Sequence, residues 1–317
     1  MKRFALSAII VALALTSGAL AKDKVRLIDS QASVFDQFAI YQAQAEGYFD
    51  AENLDVSIIV GRGGSAALQI LTTGNAEMLM APGIFSVIAA YAKGAPVTIV
   101  GSGEYGVNGL YWYVKADSPI KSLKDMDGKI LVIASPGSLS DLAAHGVSKA
   151  LNIRPKMVSV GSFAASRTQV MSGQTDTGFS AVPANYDLVR TGQARVIGTG
   201  ADAPMLRNMT TRAVVANSEW LPKNRDAAAR MMRALWKGQQ YNFSGEKALA
   251  RYAEHWKIDL EDAKKVYDVL TLDDFKFAPI KGLDDMLQFA LDYGFINQPL
   301  TAEQKKGLVA IAYEPSR

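Results

Sequence analysis

One arrangement recurs in both halves of this chain: an apolar run, a glycine-containing turn, a serine, then a helix. Residues 54–60 alternate Leu54, Val56, Ile58 and Val60 with Asp55, Ser57 and Ile59, and Gly61-Arg62-Gly63-Gly64-Ser65 then opens a helix over 66–73. Residues 130–133 form an unbroken apolar run suited to a strand buried on both faces. Ser135-Pro136-Gly137 turns the chain, and Ser138 with Asp141 makes a capping pair for a helix reaching Leu151. A strand that ends in such a turn leaves backbone N–H groups free at the helix start, where they can hold a polar or anionic ligand without a charged side chain.

The rest of the chain follows the same alternation. Strands are expected at 25–28, 77–81, 97–100, 157–160, 177–179 and 194–197, and helices at 36–46, 84–93, 162–171 and 184–190. Strands alternating with helices of this length imply an α/β protein with a mostly parallel sheet. The aromatic stretch Glu104-Tyr105-Gly106-Val107-Asn108-Gly109-Leu110-Tyr111-Trp112-Tyr113-Val114 marks a passage into a second strand–helix series, and 211–216 an extended return. From Asn224 the pattern is helical throughout, over 225–241, 246–255, 260–269, 283–293 and 302–311, with no linker to set the tail apart. We therefore expect two lobes, 22–113 with 213–317 and 114–212, and a helical C-terminal tail packed on the first.

Residues 1–21 read as a secretory signal: Lys2-Arg3, an apolar core, then Ala19-Leu20-Ala21. That core is shorter than the about 20 apolar residues of a membrane span. Removing 21 of 317 residues leaves 296 and lowers the formal charge from +3 to +1, because Lys2 and Arg3 go with them. A nearly neutral protein has no electrostatic case for nucleic acid. With no cysteine, disulfides, thiolate chemistry and a lipid-anchored cysteine are all excluded, and a free periplasmic monomer is expected. The two histidines, His145 and His255, have no partner at ligand spacing, so neither a metal nor a cofactor is expected. No Gly-x-Ser-x-Gly, P-loop or Gly-x-Gly-x-x-Gly is present, so no catalytic residue is assigned and the chain is not read as an enzyme.

The sequence resembles the periplasmic solute-binding proteins of ATP-driven importers, in the group serving nitrate, sulfonates, taurine and thiamine-precursor pyrimidines. Ala45-Glu46-Gly47-Tyr48-Phe49, Gly63-Gly64-Ser65, Gly74-Asn75-Ala76-Glu77, Lys124-Asp125-Met126-Asp127-Gly128-Lys129, Pro136-Gly137-Ser138 and Ser172-Gly173-Gln174-Thr175-Asp176 carry the resemblance. It implies a type II periplasmic binding fold, two α/β lobes joined by two hinge strands. It also implies a membrane permease and a cytoplasmic ATPase as partners. The ligand contacts implied are Gln31, Phe35, Gly63, Ser65, Pro82 and Gly83 on one side and Gly137, Ser138, Ser162 and Pro183 on the other, with Tyr105 and Asn108 at the hinge. Phe163 and Tyr186 are further candidate walls.

Asp141 stands where sulfonate binders of this group often place a histidine. It either caps its helix or faces the cleft, where it would repel an anion. Arg62, Arg167 and Arg212 are read as surface arginines, each also able to neutralise an anion, so the charge of the solute stays open. A sensory subunit reporting to a receptor fits the same residues. A pyrimidine-forming enzyme of this fold, which spends its own histidine and cysteines, does not suit a chain without cysteine.

Overall fold

The structure is a computed structural model describing residues 21–314; the expected signal segment, apart from Ala21, lies outside the described residues. In chain order, the first part runs β1 (Asp23–Asp29), α1 (Ala39–Ala45), α2 (Tyr48–Ala51), β2 (Leu54–Val60), α3 (Gly64–Thr72), β3 (Met78–Met80), α4 (Ile84–Ala92) and β4 (Val97–Tyr105). The middle holds β5 (Leu110–Lys115), β6 (Ile130–Ile133), α5 (Leu139–Leu151), β7 (Lys156–Ser159), α6 (Phe163–Met171), β8 (Gly178–Ala181), α7 (Tyr186–Arg190) and β9 (Ala194–Thr199). β10 (Thr210–Asn217) precedes the tail: α8 (Arg225–Asn242), α9 (Glu246–Trp256), α10 (Leu260–Val269), α11 (Leu283–Asp292) and α12 (Ala302–Leu308).

The first lobe is a five-stranded sheet in the order β2-β1-β3-β10-β4, with β1 parallel to β2 and β3 and β10 antiparallel to β3 and β4. In the second, β5 lies antiparallel between β8 and β9, and β6 pairs in parallel with β7. The Thr177 hydroxyl joins these pieces, accepting from Val132 N (3.2 Å) and donating to Ile130 O (3.1 Å). The expectation of a mostly parallel sheet is corrected here: the five-stranded sheet is mixed, the three-stranded sheet is antiparallel, and the two-stranded β6-β7 sheet is parallel. A chain that leaves the first sheet along β4 and comes back along β10 places those two neighbours antiparallel.

The outward passage is 106–109, between β4 and β5, and the return spans 200–209, between β9 and β10. The sequence boundaries at 113/114 and 212/213 fall inside β5 and β10. The two passages touch backbone to backbone. Gly106 N donates to Met209 O (2.9 Å), and the Thr211 hydroxyl donates to the carbonyl of Gly106. A Cβ on Gly200 would lie 1.8 Å from Val107 O, so no larger residue fits this crossing.

The tail is held by apolar faces at helical spacing. In α8, Ala227, Ala228, Met231, Met232, Ala234 and Leu235 are all buried. Burying each of the larger side chains contributes roughly 1.5–3 kcal/mol. Gly238 lets α8 approach α1, since a Cβ there would meet Ala39 O at 2.2 Å. The tail also reaches the second lobe. Arg190 of α7 pairs with Asp262 of α10 (2.7 Å), and His145 of α5 stacks on Tyr293 at 4.2 Å between ring centroids. The final helix stops at Leu308, short of the expected 311. Beyond it the chain extends along the edge of β4, where Ala310 N donates to Ile99 O (2.8 Å) and Ala312 N to Val100 O (3.0 Å). Those open strand bonds outcompete another helical turn. Among the described residues no helix is long and apolar enough to cross a membrane.

Candidate functional site

Four helices begin where β2, β3, β6 and β7 end, and their N-termini face the interface between the lobes. This is the edge at which open α/β sheets bind ligands. α3 starts at Gly63 (φ 114°, ψ 156°), a conformation that favours glycine, and α4 starts at Gly83. Ser138 caps α5 by accepting from Asp141 N (3.3 Å), and Ser162 caps α6 by accepting from Ala165 N (3.2 Å).

The lobes meet directly along this edge. Ser86 N donates to Gly137 O (3.2 Å), and the hydroxyls of Ser65 and Ser135 lie 3.0 Å apart. A cavity of about 30 Å³ remains between them, lined by Ser30, Gln31 and Gly83 from one lobe and Ser138, Leu139, Ser140 and Phe163 from the other. That volume suits water, not an organic solute. The two lobes are thus in contact along this edge, with little space left between them.

Beneath the cavity lies a buried charged cluster. The Arg212 guanidinium reaches both cavities, with Nε 3.0 Å from Glu104 Oε2 but not aligned for a hydrogen bond, and Nη1 3.9 Å from Asp36 Oδ1. A second cavity of about 10 Å³ lies against Phe35, Asp36, Glu104, Leu139 and Arg212. Burial pushes the Glu104 carboxyl up to about 8, against the opposing pull of Arg212. Burial likewise raises Asp36, and it brings Asp29 to about 6 despite the Tyr41 hydroxyl donating to Asp29 Oδ2 at 2.9 Å.

The expected site residues divide into three groups. Gln31, Gly83 and Ser138 line the main cavity, and Phe35 walls the smaller one. Phe35 is otherwise a core residue, its ring 5.1 Å from Tyr252 and 5.3 Å from Phe243. Gly63, Ser65, Pro82, Gly137 and Ser162 build the surrounding turns. Pro82 O accepts from Ala213 N (3.2 Å), and Ser65 touches Ser135 across the interface. Tyr105, Asn108 and Pro183 are engaged elsewhere. The Tyr105 hydroxyl donates to Pro279 O (2.7 Å) while the Lys281 ammonium sits 3.8 Å from its ring centre. Asn108 donates to Asp274 (3.3 Å), and Pro183 lines an outer groove of about 570 Å³ that also borders Trp256. Of the other aromatic candidates, Phe163 lines the cavity and Tyr186 packs edge-on to Tyr111.

Asp141 is a cap: its Oδ2 accepts from Gly137 N (2.7 Å) and its Oδ1 lies 3.5 Å from His145 Nε2. Burial raises its carboxyl to about 6. The surface reading of Arg212 is corrected, since it is 8 % exposed, whereas Arg62 is exposed and Arg167 pairs with Asp187 (2.7 Å). Sequence reasoning missed Ser30, Asp36, Glu104 and Ser140. The available signal was a glutamate and an arginine inside two strands otherwise built from small and apolar residues, Val97–Tyr105 and Thr210–Asn217. Among the described residues, no group of three or more His, Asp or Glu is placed to hold a metal ion.

A family profile described as "NMT1/THI5 like" matches residues 34–245. A Saccharomyces cerevisiae protein named 4-amino-5-hydroxymethyl-2-methylpyrimidine phosphate synthase is 24% identical over 232 residues, 69% of this chain and 65% of its own length, a little under two thirds. Among solved structures, the aliphatic sulphonate binding protein SsuA from Escherichia coli matches with a TM-score of 0.72 at 17% identity, over 90% of this chain and 97% of its own. A Candida albicans protein described as having the generic periplasmic binding protein fold matches with a TM-score of 0.73 at 16% identity, over 94% and 99%. These likenesses fix the periplasmic binding protein fold.

Proposed function

Since the chain belongs to the NMT1/THI5-like family, we propose that it is a periplasmic solute-binding component of an ABC importer. It captures a small polar organic solute between its lobes and delivers it to a membrane permease driven by a cytoplasmic ATPase. The observation carrying this reading is the cavity walled by both lobes at four helix starts, closed by the Ser86–Gly137 and Ser65–Ser135 contacts. A solute in that position makes contacts with the second lobe only when the lobes have come together, and this differential affinity favours the closed form. The passages 106–109 and 200–209 are the segments about which the lobes turn. Export by a signal at 1–21, release as a free monomer, and the ligand contacts expected from sequence, apart from Tyr105, Asn108 and Pro183, belong to this same proposal.

The reading is tested by small-angle scattering of the purified protein with and without solutes identified by a thermal-shift screen. Contraction on saturation is expected, and an unchanged radius of gyration refutes capture by closure. The yeast relative supports a second reading, as an enzyme of pyrimidine formation. Neither His145 nor His255 borders the main cavity, and the sequence holds no cysteine. Appearance of a pyrimidine product from the purified protein would favour that reading over capture.

A further inference from the structure

The chemistry of the solute is written in the buried charges of the cleft, provided that solute capture as proposed above is correct. Among the residues lining the two cavities, Arg212 is the one cation, and its guanidinium already lies against Glu104 at 3.0 Å and Asp36 at 3.9 Å. An oxyanion entering here would have to draw Arg212 from two buried carboxyls, with Asp29 a third carboxyl nearby. Several of the backbone donors are also taken. Gly137 N donates to Asp141 Oδ2 and Ser86 N to Gly137 O, while the N–H groups of Asp141 and Ala165 are taken by the capping serines.

What the cleft does offer is an unanswered acceptor. Asp36 is 3 % exposed, borders the deeper cavity, and its Oδ2 has no hydrogen-bond partner. A buried polar atom left this way is costly unless something donates to it. Gln31, on the main cavity, has a buried amide nitrogen likewise without a partner. We infer that the cleft selects a neutral or cationic solute bearing N–H donors, received by the Asp36 carboxylate, together with an acceptor for the Gln31 amide. Sulfonates and nitrate, which bring no N–H donor to Asp36, are the disfavoured class.

The test is calorimetric titration and thermal shift of the full protein with two probe sets. Cytosine, nicotinamide and benzamidine supply N–H donors, and methanesulfonate and nitrate supply oxyanions. At least one donor probe is expected to bind, and Asp36→Asn to weaken that probe at least tenfold; neither oxyanion should bind. Binding of either oxyanion, absence of binding by every donor probe, or equal affinity in Asp36→Asn overturns the assignment. Should Asp36→Asn fail to fold, the ranking of probes on the wild-type protein decides alone. An oxyanion that binds and contracts the protein would leave solute capture standing and remove only this ligand class. A protein that no solute contracts would remove capture itself.

Discussion

Gly83→Ala separates closure from folding. Gly83 has φ −62° and ψ 137°, an ordinary extended conformation, so alanine adds no backbone strain within the first lobe. Its new Cβ, however, would sit 2.5 Å from Gly137 O, 2.8 Å from Ser138 C and 2.9 Å from Leu139 N, all across the interface. Restoring ordinary contact of about 3.4 Å to Gly137 O requires the lobes to back away by about 0.9 Å, which breaks the 3.2 Å bond from Ser86 N. Overpacking of this kind costs about 1–3 kcal/mol, and 2 kcal/mol lowers the closed-to-open ratio about thirtyfold. The open form and the unfolding midpoint should hardly change. A ligand-free assay follows from the absence of cysteine. Replacing Ser65 and Ser135 by cysteine puts two thiols where hydroxyls now lie 3.0 Å apart, so disulfide formation counts closing events. We expect Gly83→Ala to slow that cross-link by about an order of magnitude or more. An unchanged rate in a folded variant would refute the interface contact as the gate on closure.

Further outcomes are expected from the same structure. Ser138→Ala removes the cap of α5 and should lower stability by about 1 kcal/mol in urea titration; no change would mean that Asp141 caps the helix alone. Gly238→Ala drives a methyl into Ala39 O and should destabilise by about 3 kcal/mol, with a wild-type midpoint arguing against the α1–α8 packing. Glu104 is raised to about 8, and Asp29 and Asp141 to about 6, each chiefly by burial. These carboxyls hold protons more tightly folded than unfolded, so from these groups stability falls as pH rises from about 5 to about 8. A urea midpoint that climbs over that range would refute the burial of the cluster.

Much of the fold was legible because local rules and tertiary demands agree. Ile130–Ile133 and Leu260–Val269 lie where apolar pattern and capping residues place them. Strand direction was not legible, since alternation of apolar residues is the same in parallel and antiparallel partners. The outward passage was hidden for a related reason. Leu110–Lys115 is as aromatic and extended as the residues before it, and only pairing with β8 and β9 tells the two apart. In the candidate site, glycine and serine turns announced the helix starts, but Asp36, Glu104 and Arg212 did not announce themselves. A charge becomes informative when it is buried, and its burial here depends on β10 returning beside β4 from more than a hundred residues away.

The double attachment of the tail bears on dissecting this protein. Residues 22–217 contain all three sheets, yet alone they would lose the Tyr252 cover over Phe35 and Phe38, the Arg190–Asp262 clasp and the aromatic lid on His145. Neither half is therefore a transplantable module. A chimera that borrows another specificity by exchanging the middle segment would have to borrow the matching C-terminal helices as well.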